Sequence, residues 1–402
     1  MAHRIAGGAS FGNIFAVGEF RALWSAQALS VIGDQLARVA LTLLVYDKTR
    51  SALLAAVTFA ASVVPIFIGG IFLAGLADRF PRRQVMIICD MARLTLVLAM
   101  IIPGLPIAVL VALLFAVTLF GPPFTSARAA VYSEVLPGDR YVVGQAITLT
   151  TSQLAQVVGF AAGGALVALV GVRTTLIADA ATFAFSALIC RIWMRARPVA
   201  RDADGGRATH RGDIAEGIRL AFQLPGLRTP MLFGWLALFY NVPEGVAAPL
   251  AQSIGGKTAS VGLILAAAAL GAAVGGLAFT RLTDPDTRLK WMRPLAIAAC
   301  LTLALFGLGP PLPLALAVLF VSGVFDCFQV AASTAFVSTA PPEHLSQVFG
   351  IAQAGMSLGQ GIAMVLAGAA AQSHAPATVI AASGVLGAIV AALIPGGRVA
   401  DR

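Results

Sequence analysis

Long apolar runs separated by short polar segments make up most of this chain. The runs lie near 22–45, 51–76, 84–103, 105–126, 144–170 and 172–194, and again near 230–252, 259–281, 294–309, 312–336, 347–371 and 375–395. A helix that crosses a bilayer needs about 20 mostly apolar residues, which is close to the length of these runs. The pattern therefore predicts an all-α integral membrane protein with twelve transmembrane helices, numbered here as spans 1 to 12.

The composition supports a position in the lipid bilayer. The chain of 402 residues is 59% hydrophobic and only 11% charged, whereas a soluble domain averages about 45–50% apolar and about 25% charged residues. The net charge of +9 is what basic cytoplasmic loops give a membrane protein. We therefore expect lipid, and no nucleic acid, as the surrounding partner.

Basic residues also predict the orientation. If the N-terminus is cytoplasmic, most of the 27 Lys and Arg residues fall on the cytoplasmic side. Lys48, Arg50, Arg173 and Lys257 are the ones that fall outside, and Arg38 and Arg93 lie within spans. Because basic loops favour the cytoplasm, both termini are predicted to be cytoplasmic.

The longest polar stretch lies midway along the chain. Residues 195–228 are rich in arginine and predict a cytoplasmic linker between one six-helix bundle at 1–194 and a second at 229–402. The two halves share sequence: GGIFLAGLAD at 69–78 aligns with GGLAFTRLTD at 275–284, which is 206 residues later. Paired six-helix repeats are typical of transporters that bind substrate between their halves, near the membrane midplane.

No residue pattern predicts a cofactor, a metal site or an enzyme. The four cysteines lie in or beside apolar runs without a C-x-x-C pair, and the four histidines are scattered. Gly256-Lys257-Thr258 approaches the end of a phosphate-binding loop, but Ala251 replaces the first glycine and no strand precedes it. A membrane enzyme or scaffold would need a reactive cluster or a large soluble domain, and the sequence shows neither.

The segment Gly75-Leu76-Ala77-Asp78-Arg79-Phe80-Pro81-Arg82-Arg83 resembles the loop 2–3 signature of the major facilitator superfamily, with proline in place of the usual turn glycine. The segment at 216–228 and Gly33-Asp34 resemble the branch of bacterial drug and siderophore exporters. The resemblance implies a facilitator fold and a monomer in the bacterial cytoplasmic membrane.

The resemblance also implies a role for the loop 2–3 motif. Its aspartate, Asp78, is expected to meet the N-terminus of span 11, where the helix dipole favours a carboxylate. Gly75, Arg79, Arg82 and Arg83 complete this motif, which is expected to act as a latch on the outward-open state. Its arginines are expected to anchor to lipid phosphates or to acidic groups such as Glu134.

A second motif lies in span 5. Gly159-Phe160-Ala161-Ala162-Gly163-Gly164 keeps the small residues of the family's antiporter signature but lacks its proline. Gly159, Gly163 and Gly164 predict close helix packing. Because the proline is missing, import or uniport of a metabolite remains an alternative to export.

Ionisable residues inside spans are candidate site residues, because each costs about 2.5–3.5 kcal/mol at a helix centre on insertion scales. Asp34 and Arg38 lie one turn apart in span 1. They predict either a proton-binding aspartate controlled by its arginine or a self-neutralising structural pair. Asp90 and Arg93 repeat the arrangement in span 3, where we predict a structural pair.

The second half contributes further carboxylates. Glu244 of span 7 follows Asn241 and Pro243, and the proline is expected to break the helix beside a cavity. Asp326 in span 10 and Asp179 in span 6 have no evident partner in their own spans. The predicted substrate cavity comprises Asp34, Asn241, Glu244, Asp326 and Asp179, and the predicted proton-coupling residues are Asp34, Arg38, Glu244 and Asp326.

These patterns predict a secondary transporter. The leading hypothesis is a proton-coupled exporter of small amphipathic molecules, such as drugs, antibiotics or siderophores, that works by alternating access. Unpaired carboxylates in a cavity suit proton coupling, a cationic substrate, or both.

Overall fold

The chain is helical, without β-strands, throughout the part that the computed structural model describes, residues 11–73, 76–195, 197, 219–341 and 344–395. The first half contains α1 (Phe11–Phe15), α2 (Gly18–Thr49), α3 (Ala52–Ala60), α4 (Val64–Phe72), α5 (Leu76–Arg79), α6 (Arg82–Met100), α7 (Ile107–Leu119), α8 (Gly121–Val135) and α9 (Asp139–Trp193). The second half contains α10 (Pro225–Trp235), α11 (Ala237–Tyr240), α12 (Val242–Gly245), α13 (Ala247–Ser253), α14 (Thr258–Leu282), α15 (Pro285–Thr302), a 3₁₀ segment (Leu303–Leu308), α16 (Leu312–Phe325), α17 (Phe328–Thr339), α18 (Leu345–Ala370) and α19 (Pro376–Leu393).

Nine helical stretches within these described ranges are long and apolar enough to cross a membrane. One of them, Arg140–Trp193, has 54 residues, far more than the roughly 20 that one crossing needs. Its backbone leaves helical geometry at Gly171, where φ is 80° and ψ is 168°, at the predicted boundary between spans 5 and 6. The multi-pass helical architecture is confirmed, and the total of twelve spans stays a prediction.

The predicted span 7 is divided into the short helices α10 to α13. Asn241 and Val246 have φ/ψ angles of −90°/1° and −111°/16°, so they separate α11, α12 and α13. Pro243 lies in the first turn of α12, where its missing N–H prevents a continuous helix. The expected helix break beside Glu244 is therefore confirmed.

The internal repeat is visible in the packing of equivalent glycines. A Cβ atom at Gly69 in α4 would lie 3.0 Å from Cγ of Pro122, at the start of α8. A Cβ atom at the aligned Gly275 in α14 would lie 2.7 Å from Cα of Val324 in α16. In both halves a glycine thus allows the second predicted span to approach the fourth closely.

The two halves meet backbone to backbone at the end of the molecule opposite to the arginine-rich linker. A Cβ atom at Gly164 of α9 would lie 2.7 Å from Cα of Gly262 in α14. A Cβ atom at Gly368 of α18 would lie 2.9 Å from the carbonyl oxygen of Ala52 in α3. We call this interface between the halves the seam, and this end of it the closed end.

Two hydrogen bonds also cross the seam at the closed end. The Tyr46 hydroxyl donates to Oε1 of Gln252 over 2.7 Å. Nε2 of Gln372 donates to the hydroxyl of Ser51 over 3.0 Å. At the closed end, the two halves are thus joined by polar contacts as well as by the glycine contacts.

The opposite end, which we call the basic end, carries the start of the linker. Arg197 donates to both carboxylate oxygens of Glu19 over 2.6 and 2.8 Å and lies 3.1 Å from Oε2 of Glu134. Arg82 forms a second ion pair with Glu134. Most of the linker predicted at 195–228 lies outside the described residues, as do the ends of both predicted bundles.

Two adjacent glycines offer a matched test of this packing. We expect Gly275→Leu to lower stability by about 1–3 kcal/mol, because the new side chain would overlap the backbone of α16. Gly276→Leu is the control, because a Cβ atom there has no neighbour within 4 Å. Thermal unfolding of both purified variants in detergent measures the difference, and equal melting temperatures would contradict the repeat-based packing.

Candidate substrate and coupling site

A cavity of about 700 Å³ lies between α2, α4, α6, α7, α8 and α18. It extends along α2 from Arg38, near the middle of that helix, to Gln27, which lies nearer the basic end. Its lining residues are Gln27, Ser30, Val31, Asp34, Gln35, Ala37, Arg38, Ser62, Ile66, Phe67, Gly70, Arg93, Leu114, Val117, Thr118, Gly121, Pro122, Phe124, Thr125, Ser126, Phe349, Gly350, Gln353, Ala354 and Ser357. This volume is within the range of about 300–1,000 Å³ that small-molecule sites occupy.

The wall combines apolar surface with three charged side chains. Aromatic rings from both halves, those of Phe67 and Phe349 among them, contribute to the apolar part. The charges are Asp34, Arg38 and Arg93, all from the first half. Such a surface suits molecules with a large apolar body and a few polar groups.

Asp34 pairs with Arg93, not with Arg38 as the spacing in span 1 predicted. Oδ2 of Asp34 lies 3.6 Å from Nη2 of Arg93, and the two side chains are 27% and 5% exposed. Arg93 also donates to the hydroxyl of Ser30 over 3.0 Å and to the carbonyl oxygen of Val117 over 3.2 Å. The prediction of a self-neutralising pair within span 1 was wrong, because α6 places the Arg93 guanidinium within ion-pair distance of Asp34 and Arg38 contacts α3 instead. Control of Asp34 by Arg38 stays a prediction.

Arg38 turns away from Asp34 towards α3. Its Nη2 donates to the carbonyl oxygen of Ser62 over 3.3 Å, and its guanidinium carbon lies 5.4 Å from the centre of the Phe59 ring. Both Glu244 and Asp34 attract the charge of Arg38. Arg38 thus experiences carboxylate charges from both halves.

Asp90 does not pair with Arg93. Its side chain is fully buried, and the Ser186 hydroxyl donates to its Oδ2 over 2.6 Å. This hydrogen bond joins α6 to the second part of α9. Because Arg93 faces Asp34 and the cavity, the prediction of a structural pair within span 3 was wrong.

Asp179 is also fully buried, and neither of its carboxyl oxygens has a hydrogen-bond partner among the described residues. It lies against Gly33, the residue before Asp34, where a larger side chain would overlap it. Burying an isolated carboxylate costs far more than burying the neutral acid. Asp179 is not among the residues that line the cavity.

Several predicted cavity residues lie elsewhere in the second half. Asn241, Glu244 and Asp326 are not among the residues that line the cavity. Asp326 interacts with Tyr240, whose hydroxyl accepts a 2.8 Å hydrogen bond from Gln329. Of the predicted cavity residues, Asp34 thus lines this cavity and Asn241, Glu244, Asp326 and Asp179 do not. The substrate-binding roles of all five stay predictions.

Part of the loop 2–3 motif can be placed. Arg82 pairs with Glu134, which confirms the predicted acidic anchor, and Arg83 donates to the carbonyl oxygen of Arg191 at the end of α9. Arg79 is exposed at the end of α5. Gly75 and the side chain of Asp78 lie outside the described part, so the role of the motif as a latch stays a prediction.

The span-5 glycines pack as expected. A Cβ atom at Gly159 would lie 2.8 Å from Cβ of Gln35, and one at Gly163 would lie 3.2 Å from Cβ of Val39. Both neighbours belong to α2, whereas Gly164 contacts the second half. Span 5 thus packs between α2, which carries Asp34 and Arg38, and α14 of the second half.

Sequence reasoning missed Arg93 as a residue of the cavity wall. It also missed Phe349 and Ser357, which α18 supplies from the second half. The only available signal was the presence of polar side chains in an apolar span, and that signal does not distinguish a cavity wall from a helix contact.

A family model described as the Major Facilitator Superfamily matches residues 23–244 and again residues 244–400. The chain belongs to the Major Facilitator Superfamily. It is 25% identical over 378 residues to the multidrug efflux pump Tap of Mycolicibacterium fortuitum, covering 90% of this chain and 92% of that one. It is also 25% identical over 375 residues to the enterobactin exporter EntS of Escherichia coli O1:K1, covering 91% and 88%.

A solved structure shares the fold of this superfamily member. The inward-facing, unoccupied bacterial homologue of the human lysosomal transporter Spinster has a TM-score of 0.68 and 16% identity, with 96% of each chain covered. The all-helical facilitator fold expected from the sequence is thus confirmed.

The Asp34–Arg93 ion pair predicts energetic coupling between α2 and α6. We expect Arg93→Gln to lower the melting temperature, because it removes the ion pair and the hydrogen bond to Ser30. The double variant Asp34→Asn/Arg93→Gln should lose less than the sum of the two single losses, by about 0.5–3 kcal/mol. Thermal unfolding in detergent measures this, with the exposed Arg173→Gln as control, and strict additivity would show that the pair contributes nothing.

Proposed function

We propose that this protein exports small amphipathic molecules from the bacterial cytoplasm across the inner membrane, in exchange for protons. The observation that carries the proposal is the cavity whose wall contains the Asp34–Arg93 pair. Because basic segments favour the cytoplasmic side, the basic end faces the cytoplasm and both termini lie there. The cavity then receives its substrate from the cytoplasm or the inner leaflet.

Two observations support export over import. The relatives Tap and EntS are named as an efflux pump and an exporter, and the matches cover nine tenths of this chain. The apolar wall also suits drug-like and siderophore-like molecules better than sugars, which need many hydrogen bonds.

Asp34 is suited to carry the coupling proton. Its side chain is 27% exposed to the cavity, so a proton can reach it, whereas Asp90 and Asp179 are sealed from the cavity. Protonation removes the charge that attracts Arg93 and so weakens the link between α2 and α6. In the second half, Glu244 and Asp326 are the carboxylates that complete the proposed proton path, and Arg38 interacts with the first of them.

Alternating access requires the seam to open at the closed end. The close contacts of Gly164 and Gly368 let the two halves meet there in the inward-open state. On the way to the outward-open state they separate, and the hydrogen bonds of Tyr46 and Ser51 break. The loop 2–3 motif would then hold the basic end closed.

The first test is accumulation of a panel of toxic dyes and antibiotics in efflux-deficient cells. We expect cells that make this protein to accumulate less of at least one compound, and a protonophore to abolish the difference. Asp34→Asn should abolish it as well, because the variant cannot exchange a proton at this position. Asp47→Asn, at the exposed far end of the same helix, is the matched control and should retain export.

Inverted membrane vesicles determine the direction of transport. Uptake of the identified compound into inverted vesicles, driven by acid inside, would support proton-coupled export. Uptake only into right-side-out vesicles would replace this proposal with the import alternative. Full proton dependence in Asp34→Asn would remove Asp34 from the mechanism.

A reducible cross-link tests the closed end. The side chains of Ser51 and Gln372 meet across the seam, and the four native cysteines are free and buried. We expect Ser51→Cys/Gln372→Cys to lose transport when a short bis-methanethiosulfonate reagent joins the two thiols and to regain it on reduction, with the single variant Ser51→Cys unaffected. Undiminished transport by the fully cross-linked protein would contradict separation of the halves at this end.

A further inference from the structure

The charges on the cavity wall are unbalanced towards positive. Arg38 and Arg93 contribute two guanidinium groups, and Asp34 is the single carboxylate among the lining residues. Arg93 already forms an ion pair with Asp34 and donates hydrogen bonds to Ser30 and to the carbonyl oxygen of Val117. Arg38 is therefore the charged group of the wall that lacks a direct counter-ion.

The contacts of Arg38 leave most of its donors unused. Within the described ranges, its one hydrogen bond goes to the carbonyl oxygen of Ser62, and no carboxylate lies within the 4.0 Å that defines an ion pair. Its Nε is buried without a partner. A guanidinium presents several N–H groups in a planar fork that matches a carboxylate, so an acidic ligand would satisfy these donors.

Asp34 is less suited to bind a cationic ligand than Arg38 is to bind an acidic one. Its ion pair with Arg93 already supplies a positive partner, and Arg93 is held on two further sides by Ser30 and Val117. A cationic ligand at Asp34 would meet the like charges of both Arg93 and Arg38. The wall thus disfavours cations and favours anions.

Glu244 is the natural competitor for Arg38. Its charge attracts Arg38, but it comes from the other half and does not line the cavity. The two residues are also 206 positions apart in the sequence, the offset that relates the repeats. An acidic group bound to Arg38 would weaken this attraction across the seam.

We propose that the substrates of this transporter carry a carboxylate or a similar planar acidic group, which binds the guanidinium of Arg38. The apolar body of the substrate then packs against Ile66, Phe67 and Leu114, which belong to the same wall. This inference rests on the proposed function, because it names the chemical class of the exported molecules. It replaces the cationic alternative that the number of carboxylates in the sequence left open.

The test uses three probes with one carbon skeleton, so that charge is the variable. These are 2-naphthylacetic acid, its methyl ester and 2-(2-naphthyl)ethylamine, titrated calorimetrically into the purified protein in a zwitterionic detergent. We expect the acid to bind at least tenfold more tightly than the ester or the amine. Arg38→Gln should remove this preference, Arg38→Lys should retain part of it, and Arg173→Gln should leave it unchanged.

A second variant keeps the test decisive if Arg38→Gln does not fold. Glu244→Gln removes the competing carboxylate, so it should tighten binding of the acid and leave binding of the ester unchanged. Equal or tighter binding of the ester or amine to the native protein would overturn the proposed substrate class. Lack of binding by all three probes would overturn it as well.

The outcomes separate this inference from the proposed function. Binding in detergent does not depend on the direction of transport or on a proton gradient. A protein that exports dyes in cells but prefers the ester would keep the proposed function and lose the acidic substrate class. A protein that binds the acid through Arg38 but drives uptake into the cell would keep the substrate class and lose export.

Discussion

The hydrocarbon core of the bilayer cannot hydrogen-bond to a protein, and this constraint governs the structure. Backbone amides in the apolar layer must find their partners within the chain, and charged side chains there face the bundle interior or a cavity. The helices satisfy the backbone, and the charged side chains turn inward. The Asp34–Arg93 pair shows the consequence, because each partner comes from a different helix and the pair holds those helices in one arrangement.

The same constraint makes helix packing depend on close backbone contact. Without a hydrophobic driving force between helices in lipid, association relies on dispersion contacts and on small residues. Gly69 and Gly275 serve this purpose within the halves, and Gly164 and Gly368 serve it between them. These glycines let the backbones of the two halves approach closely at the closed end.

The distribution of charge between the two halves connects the cavity with the seam. All charged groups of the cavity wall belong to the first half, whereas Glu244 and Asp326 lie in the second. Arg38 of the wall is attracted by a carboxylate of each half, Asp34 and Glu244. A ligand that binds Arg38 therefore acts on the interface between the halves as well as on the cavity, which is the physical requirement for coupling substrate binding to a conformational change.

The sequence by itself determined the membrane location, the helical class, the repeat and the superfamily, because hydrophobic run length and a short motif are local properties. It also located the helix break at Pro243, the close packing of the span-5 glycines and the Arg82–Glu134 contact. Only the tertiary structure decided which charges meet. Residues one turn apart share a helix face, but a neighbouring helix presented a better partner, so Asp34 binds Arg93 and Asp90 binds Ser186. The cavity likewise depends on how α18 packs against the first half, which no local pattern specifies, and its wall includes Asp34 but not Asn241, Glu244, Asp326 or Asp179.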